Sequence, residues 1–301
     1  MPVDPVWFPR DRVLTYEEIH RVVGVAAGLG VRKVRLTGGE PLVRRDLDSL
    51  VRMLSGIPRI EDISLTTNGV LLAERVESLV DAGLQRINVS LESLDPTRYE
   101  RLTRRKLLHR VLEGLTAARA AGVEPIKVNA VLMRGVNDDE AESLVARARH
   151  EGWEIRFIEF MPLSNGDGWD LSRVVDGAEL RRRIHARWPI EVEPGGDLHS
   201  PATRYRYADG RGRLGFIDSV TRPFCSTCSR LRLTSDGQLR VCLYGPEETD
   251  LRSALRSGDS DAEIEALIEQ AVAGKGRGGA LEILEQRAAP RLHRTMHQIG
   301  G

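Results

Sequence analysis

The chain has 301 residues, of which 41% are hydrophobic and 29% charged, a composition typical of a globular protein with one large domain or two domains. Its 44 basic and 44 acidic residues cancel, so bulk charge gives no basis for binding nucleic acid or an anionic membrane. No apolar run reaches the about 20 residues of a membrane span, and residues 1–7 lack the pattern of a signal peptide. We therefore expect a cytoplasmic protein without membrane or nucleic-acid partners.

Strands and helices alternate along the first half of the chain. Thr15 and Glu18 have the spacing of a capping box, which predicts a helix from there to about Leu29. Alternation of this kind predicts parallel strands with right-handed crossovers, so we expect an α/β fold with an incomplete (β/α) TIM-like barrel over residues 1–162. The later predicted strands are 31–36, 60–65, 86–91, 126–133 and 154–160, and the predicted helices are 47–54, 71–83, 107–122 and 138–151.

After Pro162 the pattern changes, and residues 163–301 are predicted to form a C-terminal α+β region. Short antiparallel strands are expected within 205–219 and 231–243, with a turn of the second pair at Asp236-Gly237. Helices are expected at 178–188, 251–256 and 262–273.

Polar and glycine-rich segments follow three of the predicted strands. They are Gly38-Gly39-Glu40-Pro41, Thr66-Thr67-Asn68-Gly69 and Ser90-Leu91-Glu92. The carboxyl ends of parallel strands share one edge of a barrel, where active sites lie, so these segments predict a binding site. Each could alternatively be an ordinary tight turn, and only the three together carry the prediction.

The three cysteines of the chain, Cys225, Cys228 and Cys242, form a C-x2-C-x13-C segment. Three thiolates predict a metal centre with one open coordination position. Strand parity puts Arg230 and Arg232 on the face into which Cys228 leads. Two guanidinium groups beside a metal predict a pocket for an anionic ligand.

The spacing leaves the nature of this cysteine centre open. Soft thiolates suit an iron–sulfur cluster and also zinc. A structural zinc site would need a fourth ligand from afar, such as His199 or His293. One disulfide with a spare thiol is the third alternative, which a reducing cytoplasm disfavours.

Lysine is scarce, since only four of the 44 basic residues are lysines. Lys33 and Lys127 fall in predicted strands, whereas Lys106 and Lys275 fall in a charged run and a glycine-rich loop. A lysine that is buried or lines a cleft is a compact charge suited to phosphate or a base edge. We therefore expect Lys33 and Lys127 to belong to a binding site, with compositional drift as the alternative.

Together these segments closely resemble the GTP 3′,8-cyclase family of radical S-adenosylmethionine (SAM) enzymes, which open molybdenum-cofactor biosynthesis. The resemblance covers nearly the whole chain in order, and the cysteine segment with a terminal Gly-Gly is specific to this family. Its segments are residues 33–47, 65–69, 86–91, 136–139 and 156–161, the cysteine segment and the Gly300-Gly301 end. A radical SAM enzyme that modifies peptides is an alternative, which the arginine pair and the Gly-Gly end disfavour.

The resemblance implies a role for each matching residue. Cys225, Cys228 and Cys242 would hold a [4Fe–4S] cluster open to the GTP base, and Gly300 and Gly301 would enter the cleft and assist the rearrangement. The GTP site would be lined by Lys33, Arg35, Thr66, Lys127, Arg156, Arg230 and Arg232. SAM would be contacted by Gly39, Glu40, Ser90 and Met161. One departure is Ser229, where the family usually has Asn, and we expect little effect on cluster ligation.

In this family a first strand and a C-x3-C-x2-C loop precede the part matched here. That loop holds a second [4Fe–4S] cluster, which cleaves SAM, and the printed sequence begins at Met1-Pro2, just after it. We therefore expect the ligands of the second cluster and the first barrel strand to be missing. Either the start was assigned too late and the real protein is active, which we favour because the downstream motifs are intact, or a truncated product binds GTP without cyclising it.

The resemblance also implies partners. GTP is the expected substrate, a homodimer is an expected assembly, and cyclic pyranopterin monophosphate synthase is the expected pathway partner.

Overall fold

The computed structural model describes residues 8–163, 169–195, 197–276, 278–286 and 294–299. The capping box predicted at Thr15 is present. The Thr15 hydroxyl accepts a hydrogen bond from the Glu18 N–H at 3.2 Å, and the Glu18 carboxylate accepts one from the Thr15 N–H at 2.7 Å. These bonds satisfy amide groups that the first helical turn would otherwise leave unpaired, and helix α1 runs over Tyr16–Gly28.

An eight-stranded open sheet has the order β1-β2-β3-β4-β5-β8-β7-β6. Strands β1 to β5 pair in parallel with one another and β8 pairs in parallel with β5, whereas β7 is antiparallel to both β6 and β8. The arrangement is an incomplete TIM-like barrel, as predicted. Its strands are β1 Lys33–Leu36, β2 Asp62–Thr67, β3 Arg86–Ser90, β4 Ile126–Leu132, β5 Glu154–Glu159, β6 Ile190–Val192, β7 Thr203–Tyr207 and β8 Arg213–Ile217.

Helices cover one face of this sheet. Alternate residues of the parallel strands, such as Leu65, Ile87 and Val128, are buried there in the main hydrophobic core. The helices after α1 are α2 Leu47–Ser55, α3 Leu72–Asp81, α4 Pro96–Thr103, α5 Leu108–Ala120, α6 Ala141–Glu151, α7 Gly177–Arg187, α8 Leu251–Ser257, α9 Asp261–Ala273, α10 Gly279–Gln286 and α11 Met296–Ile299. Burial of this apolar face is the main source of stability for the sheet.

The C-terminal region adds a small sheet of β9 Arg232–Leu233, β10 Gln238–Arg240 and β11 Thr249–Asp250 in the order β11-β10-β9. A second hydrophobic core lies beneath it, with Leu239, Ile264 and Ile268 packed against Val22 of α1. The main sheet also crosses position 162, because β8 pairs with β5. The division into residues 1–162 and 163–301 therefore stays a prediction about organisation.

Some elements differ from the sequence prediction. Helix α4 was not predicted, although Asp95 caps it with a side-chain hydrogen bond and Pro96 occupies its first turn. The predicted strand pair at 205–219 is present as β7 and β8, but β8 joins the main sheet as a parallel strand. Within the described residues no helix is long and apolar enough to cross a bilayer.

A side chain at Gly114 would disturb the packing of α5, because a Cβ there would lie 2.6 Å from the Gly69 carbonyl oxygen and 3.0 Å from Leu72 Cβ. We predict that Gly114→Ala destabilises the fold by about 1–3 kcal/mol through overpacking. Gly24→Ala is the matched control in α1, where a Cβ meets nothing within 4 Å. It should stabilise the fold by about 0.5–1 kcal/mol, since alanine favours helix. Urea denaturation of the two variants measures both effects, and equal shifts would contradict the packing described.

Candidate functional site

The face of the main sheet opposite the helices is polar, and we call it the polar face. Strand register places its residues in four adjacent rows across the parallel strands. The rows are Lys33 and Asp62; Arg35, Ser64 and Arg86; Thr66, Asn88, Lys127 and Glu154; and Ser90, Asn129, Arg156 and Gly215. Five of the predicted GTP residues, Lys33, Arg35, Thr66, Lys127 and Arg156, are thereby brought onto one surface.

Positive charge accumulates on the polar face. The pKa of Arg35 falls to about 10, first because burial strips water from its guanidinium group and then because Arg156, Arg86 and Arg230 repel its charge. Arg35 nevertheless keeps accessible surface.

Lys127 is the buried lysine that composition predicted, and only 6% of it is exposed. Burial and then repulsion from Arg156 lower its pKa to about 8, although the charge of Glu154 acts in the opposite direction. The Glu154 carboxylate is occupied by Arg156, whose Nη2 lies 2.5 Å from Glu154 Oε1. Among the described residues neither Lys127 nor Arg35 has an ion-pair partner, so both are available to an anion.

Lys33, unlike Lys127, is not buried. Its side chain is 59% exposed, and its Nζ donates to Asp197 Oδ2 at 2.9 Å. Asp197 also accepts from the His199 backbone N–H at 3.0 Å, and His199 Nδ1 lies 2.8 Å from the Thr227 carbonyl oxygen. Lys33 is thus linked through a short loop to the cysteine segment.

Arg230 of the C-terminal region lies near the polar face, since its charge contributes to lowering the pKa of Arg35, and Arg232 lies near Arg230. The Arg230 guanidinium lies 4.9 Å above the Phe224 ring, and its Nε is buried without a hydrogen-bond partner in the described part of the chain. Burial lowers the pKa of Arg232, and the charge of Arg230 lowers it further. A buried, unpartnered guanidinium nitrogen beside Arg35 is the arrangement expected of a site that awaits an anionic or carbonyl-bearing ligand.

All three cysteines are half-buried free thiols in the structure. Burial alone would raise the pKa of Cys228, but the backbone N–H and guanidinium of Arg230 and the charge of Lys275 lower it to about 7. At neutral pH Cys228 is therefore in part a thiolate, the form that binds metals.

The fit of a metal to these thiols depends on its size. Among the described residues no three Cys, His, Asp or Glu side chains converge as one ion requires. Zinc would hold every ligand atom about 2.0–2.3 Å from one centre, whereas a cluster binds each thiolate through a different iron. The cysteines still lie close enough for Cys242 and Cys228 to raise the pKa of Cys225. His199 Nδ1 lies 2.8 Å from the Thr227 carbonyl oxygen.

The four residues predicted for SAM follow the carboxyl ends of three parallel strands. Ser90 ends β3, Gly39 and Glu40 follow β1, and Met161 follows β5. The Glu40 carboxylate is partly committed, since it accepts from Thr67 Oγ1 at 2.7 Å and from the Leu42 and Asn68 N–H groups at 3.0 and 2.7 Å. Glu40 thereby fixes the first polar turn to the second at this edge.

Sequence reasoning missed several residues of the site. Arg86, Asn88 and Glu154 lie on the polar face, where their alternation with apolar neighbours could have been noticed. Lys275 was set aside as a loop residue, yet its Nζ donates to the Cys228 carbonyl at 2.5 Å. No local signal predicts that contact, because 47 positions separate the two residues. Gly300 and Gly301 lie outside the described residues.

Two protein-family models match the sequence of this chain, and both agree with the fold and the site described above. The Radical SAM superfamily model matches residues 5–148, and the model described as Molybdenum Cofactor Synthesis C matches residues 153–280. Radical SAM proteins use SAM with an iron–sulfur cluster.

Among curated proteins, GTP 3′,8-cyclase of Acidothermus cellulolyticus is 47% identical over 88% of this chain and 74% of its own. Those of Pelotomaculum thermopropionicum and Streptomyces coelicolor are each 45% identical, over 97% and 98% of this chain and 89% and 86% of theirs. The chain belongs to the GTP 3′,8-cyclase family.

Solved structures agree on the fold. SuiB of Streptococcus suis bound to S-adenosylmethionine has a TM-score of 0.54 at 17% identity, over 80% of this chain and 57% of its own. The protein anSMEcpe with bound AdoMet has a TM-score of 0.52 at 12% identity, over 78% of this chain and 68% of its own. At these identities the likeness establishes the radical SAM fold alone.

The cost of burying Lys127 among other cations predicts that Lys127→Met stabilises the protein at pH 7 by about 1–3 kcal/mol. Because the folded-state pKa is lowered, the unfolded chain binds the proton more tightly, and wild-type stability rises as pH climbs from about 8 towards 10.5. The advantage of the variant should therefore shrink above pH 8. Urea denaturation at pH 7.0 and 9.5 measures it, with Lys106→Met, an exposed lysine, as the neutral control. A less stable Lys127→Met at pH 7 would contradict the charge arrangement.

Proposed function

We propose that this protein acts on GTP as its relatives are named for doing, converting it to (8S)-3′,8-cyclo-7,8-dihydroguanosine 5′-triphosphate in molybdenum-cofactor biosynthesis. One observation carries the proposal. Arg35 and Arg156 of the polar face and Arg230 of the cysteine segment lie close together, since the charges of Arg156 and Arg230 add to burial in lowering the pKa of Arg35. A nucleoside triphosphate carries the negative charge that would neutralise such a cluster of cations.

In the proposed binding mode, GTP contacts two surfaces, the polar face and the cysteine segment. The triphosphate would lie on the polar face, where Arg35 and Lys127 form no ion pair with any described carboxylate and Lys33 can exchange Asp197 for a phosphate oxygen. The base would face the cysteine segment, where Arg230 and Arg232 can donate to its carbonyl oxygen and ring nitrogens. Thr66 and Arg156 would complete the site from the rows between.

Cys225, Cys228 and Cys242 would hold a [4Fe–4S] cluster with one iron left for the substrate. Gly39, Glu40, Ser90 and Met161 would contact SAM at the edge formed by the carboxyl ends of the strands. SAM and the clusters of the family, when bound, supply the radical that removes the ribose 3′ hydrogen. The residues of this chain orient the ribose, neutralise the phosphates and exclude water.

Gly300 and Gly301 would assist the rearrangement from the C-terminal end. The preceding segment is anchored, since Arg294 donates to both Asp236 carboxylate oxygens at 2.9 and 3.0 Å. Burial raises the pKa of Asp236, but hydrogen bonds from Arg294 and Thr234 outweigh it and leave the pKa below its usual value. The pair is therefore ionised at neutral pH and would fix where the glycine pair starts.

The cellular setting follows from the same proposal. We expect a cytoplasmic protein that forms a homodimer and supplies its product to cyclic pyranopterin monophosphate synthase. Size-exclusion chromatography with light scattering tests the assembly, and a monomer would remove the dimer from the proposal.

Measurements of GTP binding test the proposed contacts of both the polar face and the cysteine segment. We predict that Arg35→Gln, Lys127→Met and Arg232→Gln each weaken GTP binding roughly 10- to 100-fold, the effect of losing one charge-assisted contact of about 1.5–3 kcal/mol. Isothermal titration under anaerobic conditions measures the dissociation constants. Arg206→Gln is the control, because Arg206 is an exposed arginine of β7 that pairs with Glu191 of β6, and this variant should bind GTP as the wild type does. Unchanged affinity in all three site variants would refute the proposed site.

Iron content tests the proposed cluster. Anaerobic reconstitution should yield roughly four irons per chain, one cubane for three cysteines. Cys228→Ser and Cys242→Ser should retain little iron, whereas Ser226→Ala, in the same loop, should match the wild type. A wild-type protein that takes up zinc and no iron would favour a structural metal site instead.

A further inference from the structure

The chain just before and within the first turn of α10 lies directly against Cys225. Gly278 has a φ of +104°, and a Cβ built there would lie 2.6 Å from Cys225 Cβ and 2.8 Å from its Sγ. Burial raises the pKa of the Cys225 thiol, and the backbone N–H groups of Leu281 and Ala280 lie near enough to the sulfur to act in the opposite direction. Only glycine permits this approach, because any side chain would push the two donors away from the sulfur.

Gly279 and Tyr244 close the opposite side. A Cβ at Gly279 would lie 2.5 Å from Tyr244 Cβ, and Tyr244 is near enough to Cys242 and Cys225 for their charges to raise its pKa. Two consecutive glycines are therefore wedged between Cys225 and Tyr244. The backbone reaches the sulfur because both side chains are absent.

Lys275 adds a full positive charge to the same place. Its Nζ lies 2.5 Å from the Cys228 carbonyl oxygen and 3.5 Å from that of Arg230. The ammonium group spans the loop that carries the first two cysteines and holds its backbone in position. We call Lys275 and residues 278–281 the cover.

We propose that the cover sets the electron affinity and retention of the cluster bound by Cys225, Cys228 and Cys242, a role that rests on the proposed function. N–H groups that donate to a ligating sulfur, and a nearby cation, stabilise the more negative reduced state and so raise the reduction potential. The aligned amides of the first turn of α10 act in the same direction. The cover would thus keep a substrate-binding cluster more easily reduced than an uncovered one.

Paired glycine variants test the cover. Gly278→Ala should displace the donors, shift the midpoint potential to a more negative value and increase iron loss on dilution. Gly276→Ala is the matched control, two positions away in the same loop, where a Cβ meets nothing within 4 Å. Lys275→Met should also lower the potential, whereas Lys275→Arg should largely preserve it. Redox titration followed by electron paramagnetic resonance and iron analysis provide the readouts, with circular dichroism to confirm folding.

A second measurement needs no cluster. In the iron-free protein, Gly278→Ala should let iodoacetamide alkylate Cys225 faster than in the wild type and in Gly276→Ala, as followed by peptide mass spectrometry. Equal midpoint potentials in Gly278→Ala, Lys275→Met and the wild type would overturn the inference and leave the proposed cluster standing. A wild type that binds no iron would overturn the cluster itself, and alkylation would then report only whether the cover packs on Cys225.

Discussion

Repulsion among cations on the polar face is the constraint on which the rest of the structure depends. Burial and the charges of Arg156 and Arg86 lower the pKa of both Arg35 and Lys127, and the nearby carboxylates of Asp62 and Glu154 offset only part of these shifts. Such a surface persists because the opposite side of the same strands is fully buried beneath helices. The apolar face holds the strands in register, and the register holds the charges together. Repulsion among these cations lowers the stability of the folded protein at the face that an anion would occupy.

Local patterns predicted much of this arrangement. A capping box, alternation of strands and helices, and period-two parity act over a few residues, so they survive without knowledge of tertiary contacts. The scarcity of lysine drew attention to Lys127, which is buried in the structure, whereas its place in a binding site stays a prediction. The family resemblance then supplied roles that no spacing could give, above all for Gly39, Ser90 and Met161.

What sequence could not predict depends on chain segments far apart. Strand β8 joins the main sheet because β5 needs a neighbour, and residues 205–219 alone read as a separate hairpin. Lys33 looked like a buried lysine because it lies in a strand, but β1 is at the end of the sheet and Asp197 reaches it from the C-terminal region. Lys275 follows α9, which packs against α1, and its Nζ contacts the carbonyl oxygen of Cys228, 47 positions earlier in the chain.

The second hydrophobic core has a consequence for evolution. Val22 of α1 is buried with Leu239 and Ile264 of the C-terminal region, and Arg256 bonds to Glu18 across the same boundary at 2.8 Å. The two segments recognised by separate family models therefore share a core, so neither is an interchangeable module. A chimaera that joined the first half of one relative to the second half of another would have to preserve the packing of this shared core and the bond between Arg256 and Glu18. The two segments should consequently have been inherited together.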